Sequence, residues 1–203
     1  MTVALRARLG REDGFTLIEM VSSLFGVVLL MAGFSLVYTT VIRQTTQVQE
    51  SSLLQTEARS AIDRLVGELR QAYVGDGTVP ITSMSATAIT FTTPDRQTPF
   101  HLLKVSYQLA GASFQRAFAT STNTSSTGPP WTMGSTSSWA TVVGSVQNAT
   151  TVFTYFDSSG AATTDPNQVS TVTVRLRVAT AAATSRSYTY TASATLRANW
   201  SGT

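Results

Sequence analysis

Charge disappears from the chain between Met20 and Ile42 and returns at Arg43, while apolar residues fill most of that interval. As a helix, these roughly 23 residues would rise about 34 Å, enough to cross a bilayer. Beyond Ile42 the composition turns polar but the helical spacing continues. Leu54, Ala58, Ala61, Ile62, Leu65, Val66, Leu69 and Tyr73 recur at steps of three and four, with Glu57, Arg59, Asp63, Arg64, Glu68 and Arg70 expected outward. The pattern predicts one helix from Phe15 to about Tyr73. No proline precedes Pro80, so nothing forces a kink, and "GDGTVP" at Gly75–Pro80 ends the helix with turn chemistry.

The period then changes to two. "ATAITFTTP" reads as a strand, and "LLKVSYQLAGASFQRAF" as a hairpin turning at Ala110-Gly111. Val105, Tyr107 and Leu109 are expected on one face of its first arm, and Phe114, Arg116 and Phe118 on one face of its second. Thr120 to Ser138 is Ser/Thr/Gly/Pro-rich and predicts a surface loop in which Trp131 is a candidate for burial. Strand patterns resume at "WATVVGSV", "TVFTYF", "VSTVTVRLRVAT" and "RSYTYTASATLRANW", with a turn at "DSSG". Abundant Thr beside Val fits antiparallel strands with one wet face. One long helix followed by strands, with no helices between them, predicts an α+β fold: an apolar transmembrane half (15–42), an amphipathic continuation (43–74) and a β-rich domain (75–203).

Composition narrows the chemistry. The 203 residues are 42% hydrophobic and 12% charged, with a net charge of +3 from scattered arginines, so no basic stripe exists for a nucleic acid to follow. Cysteine is absent, which excludes disulfides, thiolate metal sites and cysteine nucleophiles. The one histidine, His101, lies beside Pro99 and Phe100 and reads as a surface or strand-edge residue; a zinc site of three or four ligands is not expected. No G-x-S-x-G elbow and no phosphate-cradling glycine loop occurs, so no enzyme and no cofactor is expected. Asp157, Asp165 and Asn167 offer oxygens of the kind calcium takes, but their spacing is not that of an EF-hand, and turn formation explains them. The N-x-[ST] tracts at Asn123 and Asn148 fit chance in so Ser/Thr-rich a chain. Trp131, Trp139 and Trp200 read as core residues.

One acid is out of keeping with its surroundings. Glu19 lies at the start of the apolar run, where an ionised side chain costs several kcal/mol if it enters the membrane. Before it, residues 1–14 carry Arg6, Arg8 and Arg11 against Glu12 and Asp13, and basic flanks of this kind stay cytoplasmic. A secretory signal would place its small-residue cleavage site after the apolar core, whereas here Gly14 precedes it.

"GFTLIE", Gly14 to Glu19, behind a short basic leader and ahead of an uncharged helix, resembles the class III signal of type IV prepilins and pseudopilins. The resemblance implies that residues 1–14 are a leader, that prepilin peptidase cuts between Gly14 and Phe15, and that the new amino group of Phe15 is methylated. It also implies that Glu19 neutralises the terminal amine of a neighbouring subunit, two charges that attract far more strongly out of water than in it. A looser likeness covers the middle of the chain. "EARSAIDRLVGELRQA", "ITFTTPD" and the Tyr107, Leu109, Gly111, Arg116 series resemble minor pilins of the W type and the minor pseudopilin J of type II secretion.

The expected function is therefore that of a structural and assembly subunit, a minor pilin or pseudopilin. Its implied partners are prepilin peptidase, other pilin or pseudopilin subunits, the inner-membrane assembly platform and the membrane. The expected location is the inner membrane, with the C-terminal domain outside the cytoplasm and in a filament after assembly. The alternative reading is a single-pass anchored binding module, an adhesin or DNA receptor, in which the helix is only a tether. The N-terminal pattern is common to adhesion, motility, DNA uptake and secretion systems and does not choose among them.

Overall fold

The computed structural model describes residues 15–73, 78–124, 128–179 and 187–196. Among these residues one helix, α1 (Leu17–Arg70, 54 residues), precedes eight strands: β1 (Ile81–Met84), β2 (Ala88–Pro94), β3 (Leu102–Ala110), β4 (Ser113–Thr120), β5 (Ala140–Val143), β6 (Phe153–Phe156), β7 (Thr171–Ala179) and β8 (Ser187–Thr195). A single turn of 3-10 helix at Pro166–Gln168 stands before β7. The fold is α+β as the periodicities predict. The helix is two or three residues shorter at each end than predicted, and β1 is a strand that the pattern did not announce. The first residues of "GDGTVP", together with Gly14, lie outside the described residues.

The chain divides after Thr46 into two compact units. In the first, every described residue from Phe15 to Thr46 is exposed, and six hydroxyls bond to the helix's own backbone. Ser22 and Ser23 donate to the Glu19 carbonyl at 3.0 and 2.7 Å, and Thr39, Thr40, Thr45 and Thr46 donate to carbonyls one turn back. Hydroxyls bound this way need no water, which makes them tolerable inside hydrocarbon.

In the second unit, Ala58, Ala61, Ile62, Leu65, Val66 and Leu69 form the buried stripe of α1. The stripe joins one core with Ile89, Phe91, Val105 and Phe114 of a five-stranded meander, β1-β2-β3-β4-β5, and with Val172, Val174 and Leu176 of a three-stranded sheet, β6-β7-β8. All pairings are antiparallel. An aromatic row stitches the sheets together: Phe91, Tyr107, Phe114, Phe153 and Tyr155 have successive ring centroids 6.4, 5.5, 6.1 and 6.4 Å apart. Tyr155 Oη then donates to the Ser85 carbonyl at 2.8 Å, so this buried hydroxyl is not left unpaired.

The β3–β4 turn falls at Gly111-Ala112, one residue later than predicted. Ala110 still pairs with Ser113, and the positive φ of the turn, +59°, is taken by Gly111. Phe118 shares its face with Arg116 but is 39% exposed; β5 pairs with β4 only as far as Arg116. The Thr120–Ser138 segment is more organised than a free loop. Ser121 bridges Met133, and Asn123 ties the segment by donating to the Gly128 and Pro130 carbonyls and accepting from Thr132 N. Trp131 packs edge-on against Phe100. Trp139 departs from expectation at 43% exposed, and Trp200 lies outside the described residues.

Candidate functional site

The site singled out by the sequence is the first turn of α1. Thr16 immediately precedes the helix and caps it: its carbonyl accepts from Glu19 N at 3.0 Å and Met20 N at 3.1 Å, and its Oγ1 from Glu19 N at 3.4 Å. Thr16 and Glu19 have the T-x-x-E spacing of N-cap and N3 residues, and the Thr16 hydroxyl reaches one of the amides that the helix start would leave orphaned. Thr16 is a residue the sequence reasoning missed, and the three-residue spacing to Glu19 was the signal that would have found it. An acid in the first turn also faces the positive end of the helix dipole.

The cap accounts for the backbone of Glu19 but not for its charge. The residue is exposed, and among the described residues no cation meets its carboxylate. Phe15, the residue of the predicted new terminus, is 79% exposed just before the cap, while its predicted cleavage partner Gly14 lies outside the described residues. The apolar surface that follows is long and uncovered: Leu24, Leu30, Phe34 and Leu36 are all exposed, and α1 is long and apolar enough to cross a membrane. An apolar surface of this extent marks a partner or a membrane.

A second cluster of charge lies within the globular unit. Glu68, expected outward, instead turns onto the sheet. Its Oε1 accepts from Arg116 Nη2 at 2.8 Å and from Arg64 Nε at 3.1 Å, and its Oε2 accepts from Tyr107 Oη at 2.8 Å. Tyr107 and Arg116 are direct cross-strand partners in β3 and β4, and the Arg116 guanidinium also covers the Phe118 ring at 5.1 Å. Counting back from the predicted turn at Ala110-Gly111 would have set Tyr107 opposite Phe114, so the one-residue shift of the turn hid this pair, and that Glu68 reaches both from α1 was not readable from helix spacing. Burial pushes the Tyr107 hydroxyl well above the usual phenol range, and the adjacent Glu68 carboxylate pushes it further. Burial raises Tyr155 in the same way. The Glu68 cluster is fully paired and holds α1 to the sheet.

The remaining candidates behave as structural residues. Asp157 Oδ1 accepts from Ser159 N, Ser159 Oγ and Ala161 N, and these bonds, the Ser159 hydroxyl foremost, hold its carboxyl below the usual range. Asp165 caps the 3-10 turn through Asn167 N. Among the described residues no group of three or more His, Asp or Glu is gathered in a way that could hold a metal. His101 Nδ1 lies 2.9 Å from the Ser121 carbonyl at the mouth of β3. Asn148 donates to the Thr151 and Arg175 carbonyls and accepts from Arg177 N, so its amide serves the backbone of β7. The chain matches no protein-family model, and no curated protein matches it.

Proposed function

We propose that this chain is a structural and assembly subunit, a minor pilin or pseudopilin of a type IV pilus-like or type II secretion-like filament. In this reading prepilin peptidase removes residues 1–14, Phe15 becomes a methylated amino terminus, and the apolar half of α1 leaves the inner membrane to pack among like helices in a filament core. The carrying observation is Glu19: an acid in the first turn of a membrane-length helix, with its backbone amide capped and its carboxylate unpartnered among the described residues. A positively charged amine on a neighbouring helix would supply the missing partner, and removing either member would strand the other in low dielectric. Such contacts run from one patch to a different one, so repetition yields a fibre and not a closed ring. The implied partners are the peptidase, other pilin-like subunits and the inner-membrane assembly platform, with the C-terminal domain outside the cytoplasm.

Two substitutions separate the charge from the rest of the side chain. Glu19→Gln keeps its length and a carbonyl oxygen and removes the charge; Glu19→Ala removes both. Both variants are expected to insert in the membrane and to be cleaved, and both to lose incorporation into filaments, measured by the sheared-filament fraction on immunoblot. Normal incorporation of Glu19→Gln would overturn the pairing, and absence of the parent chain from the filament fraction would leave the helix as a tether.

A further inference from the structure

Among the described residues the two sheets have four edges, and three are blunted. β1, β5 and β6 are four residues each; β1 and the β4–β5 pairing carry register shifts, and β6 is closed off by the Phe156–Ala162 bridge and the Asp157 turn. Short or bulged edges are how sheets avoid pairing with other chains. β8 is different. It runs nine residues, pairs in continuous register with β7 alone, and contains no charge, no proline and no glycine in "SYTYTASAT". Among the described residues its other side bonds to nothing; the one nearby backbone bond, Leu196 N to the Ser170 carbonyl, falls beyond the strand.

The sequence of this edge says what fits it. Thr189, Thr191, Ser193 and Thr195 face solvent, while Tyr188, Tyr190, Ala192 and Ala194 face the core side. Laid antiparallel on a second β8 about Thr191, the strand sets Ser187 opposite Thr195, Thr189 opposite Ser193, Tyr188 opposite Ala194 and Tyr190 opposite Ala192. Hydroxyls then meet hydroxyls on the wet face, and each large ring meets a methyl on the other. A parallel in-register pairing would crowd Tyr on Tyr and leave Ala against Ala. The strand itself carries no charge, so it lacks the repulsion that usually keeps identical edges apart; a cation beside it, Arg59 of α1, lies over the Tyr190 ring at 5.7 Å, held there on the core face.

We propose that β8 is a docking edge for a second copy of this chain, joined through antiparallel β8–β8 pairing across a two-fold axis at Thr191 to make one six-stranded sheet. An isologous contact of this kind closes as a dimer. It does not rest on the filament reading.

The absence of cysteine makes the test clean. Single cysteines are placed in the full-length protein in detergent, followed by mild oxidation or a short bis-maleimide. Thr191→Cys is expected to cross-link to itself at least about tenfold faster than Ser83→Cys on the β1 edge, because pairing raises the local thiol concentration. Ser187→Cys and Thr195→Cys are expected to cross-link when mixed and not when alone. Adding Thr191→Lys to the mixed pair should abolish that product while the thermal transition is retained, since position 191 faces solvent and the two lysines would oppose each other only in the dimer. Cross-linking of Ser187→Cys with itself would overturn the antiparallel register. A rate for Thr191→Cys no greater than for Ser83→Cys would overturn the dimer.

Discussion

Leu29 and Leu65 are the same residue in one helix, yet Leu29 is 58% exposed and Leu65 is fully buried. Glu19 and Glu68 make the same contrast among acids: Glu68 has Arg116, Arg64 and Tyr107 around its carboxylate, and Glu19 has no cation among the described residues. Side-chain type does not separate these pairs. The strands following the helix supply a face for its second half, and no described residue covers its first. A helix can therefore carry two kinds of unfinished business, one completed within the chain and the other left for a membrane or a neighbouring subunit.

The sharpest way to break this comparison is a matched truncation. Leu65→Ala should lose about 2–5 kcal/mol of stability through lost burial and a residual cavity. Leu29→Ala should stay within about 0.5 kcal/mol of the parent. Denaturant unfolding of the full chain in detergent, followed by tryptophan fluorescence, checks both; equal losses would mean that the two halves share one core.

Glu68→Ala comes next. It leaves the Arg116 side chain, 8% exposed, without its carboxylate, and a loss of about 3 kcal/mol is expected in the same unfolding measurement. Glu19→Ala should leave that transition within about 0.5 kcal/mol and act only on assembly, which is the acid version of the leucine contrast.

A smaller effect lies at alkaline pH. Tyr107 and Tyr155 hold their protons more tightly when folded than when unfolded. Between the ordinary phenol pKa of about 10 and their raised values, the unfolded chain binds fewer protons, so stability is intact below about pH 10 and falls above it. The slope should be at most about 1.4 kcal/mol per pH unit for each tyrosine. Urea titrations from pH 8 to 11 test this, and the double variant Tyr107→Phe, Tyr155→Phe should flatten the curve.

Much of this molecule was legible because its periods are clean. The uncharged run of α1, its buried stripe and the hairpin of β3 and β4 follow directly from spacing. What escaped depended on distant pairing. β1 is four residues with a burial pattern of one inward and three more exposed positions, too short for alternation to announce it. Glu68 was placed outward because helix spacing cannot foresee an arginine that arrives 48 residues later. Asn123 and Asn148 had the look of chance motifs, since their value lies in carbonyls that only the folded loops bring near. Of the candidate site, the acid and its helix were readable; the Thr16 cap was present in the spacing and overlooked.

The account turns on what Glu19 is for, and this depends on a new amine being made at Phe15. Intact-mass and N-terminal peptide analysis of the protein recovered from its native membrane tests this most directly. The expected result is a chain beginning at Phe15 with one added methyl on its amino group; a chain that still carries residues 1–14, with an unmodified Phe15 internal to the sequence, would contradict it.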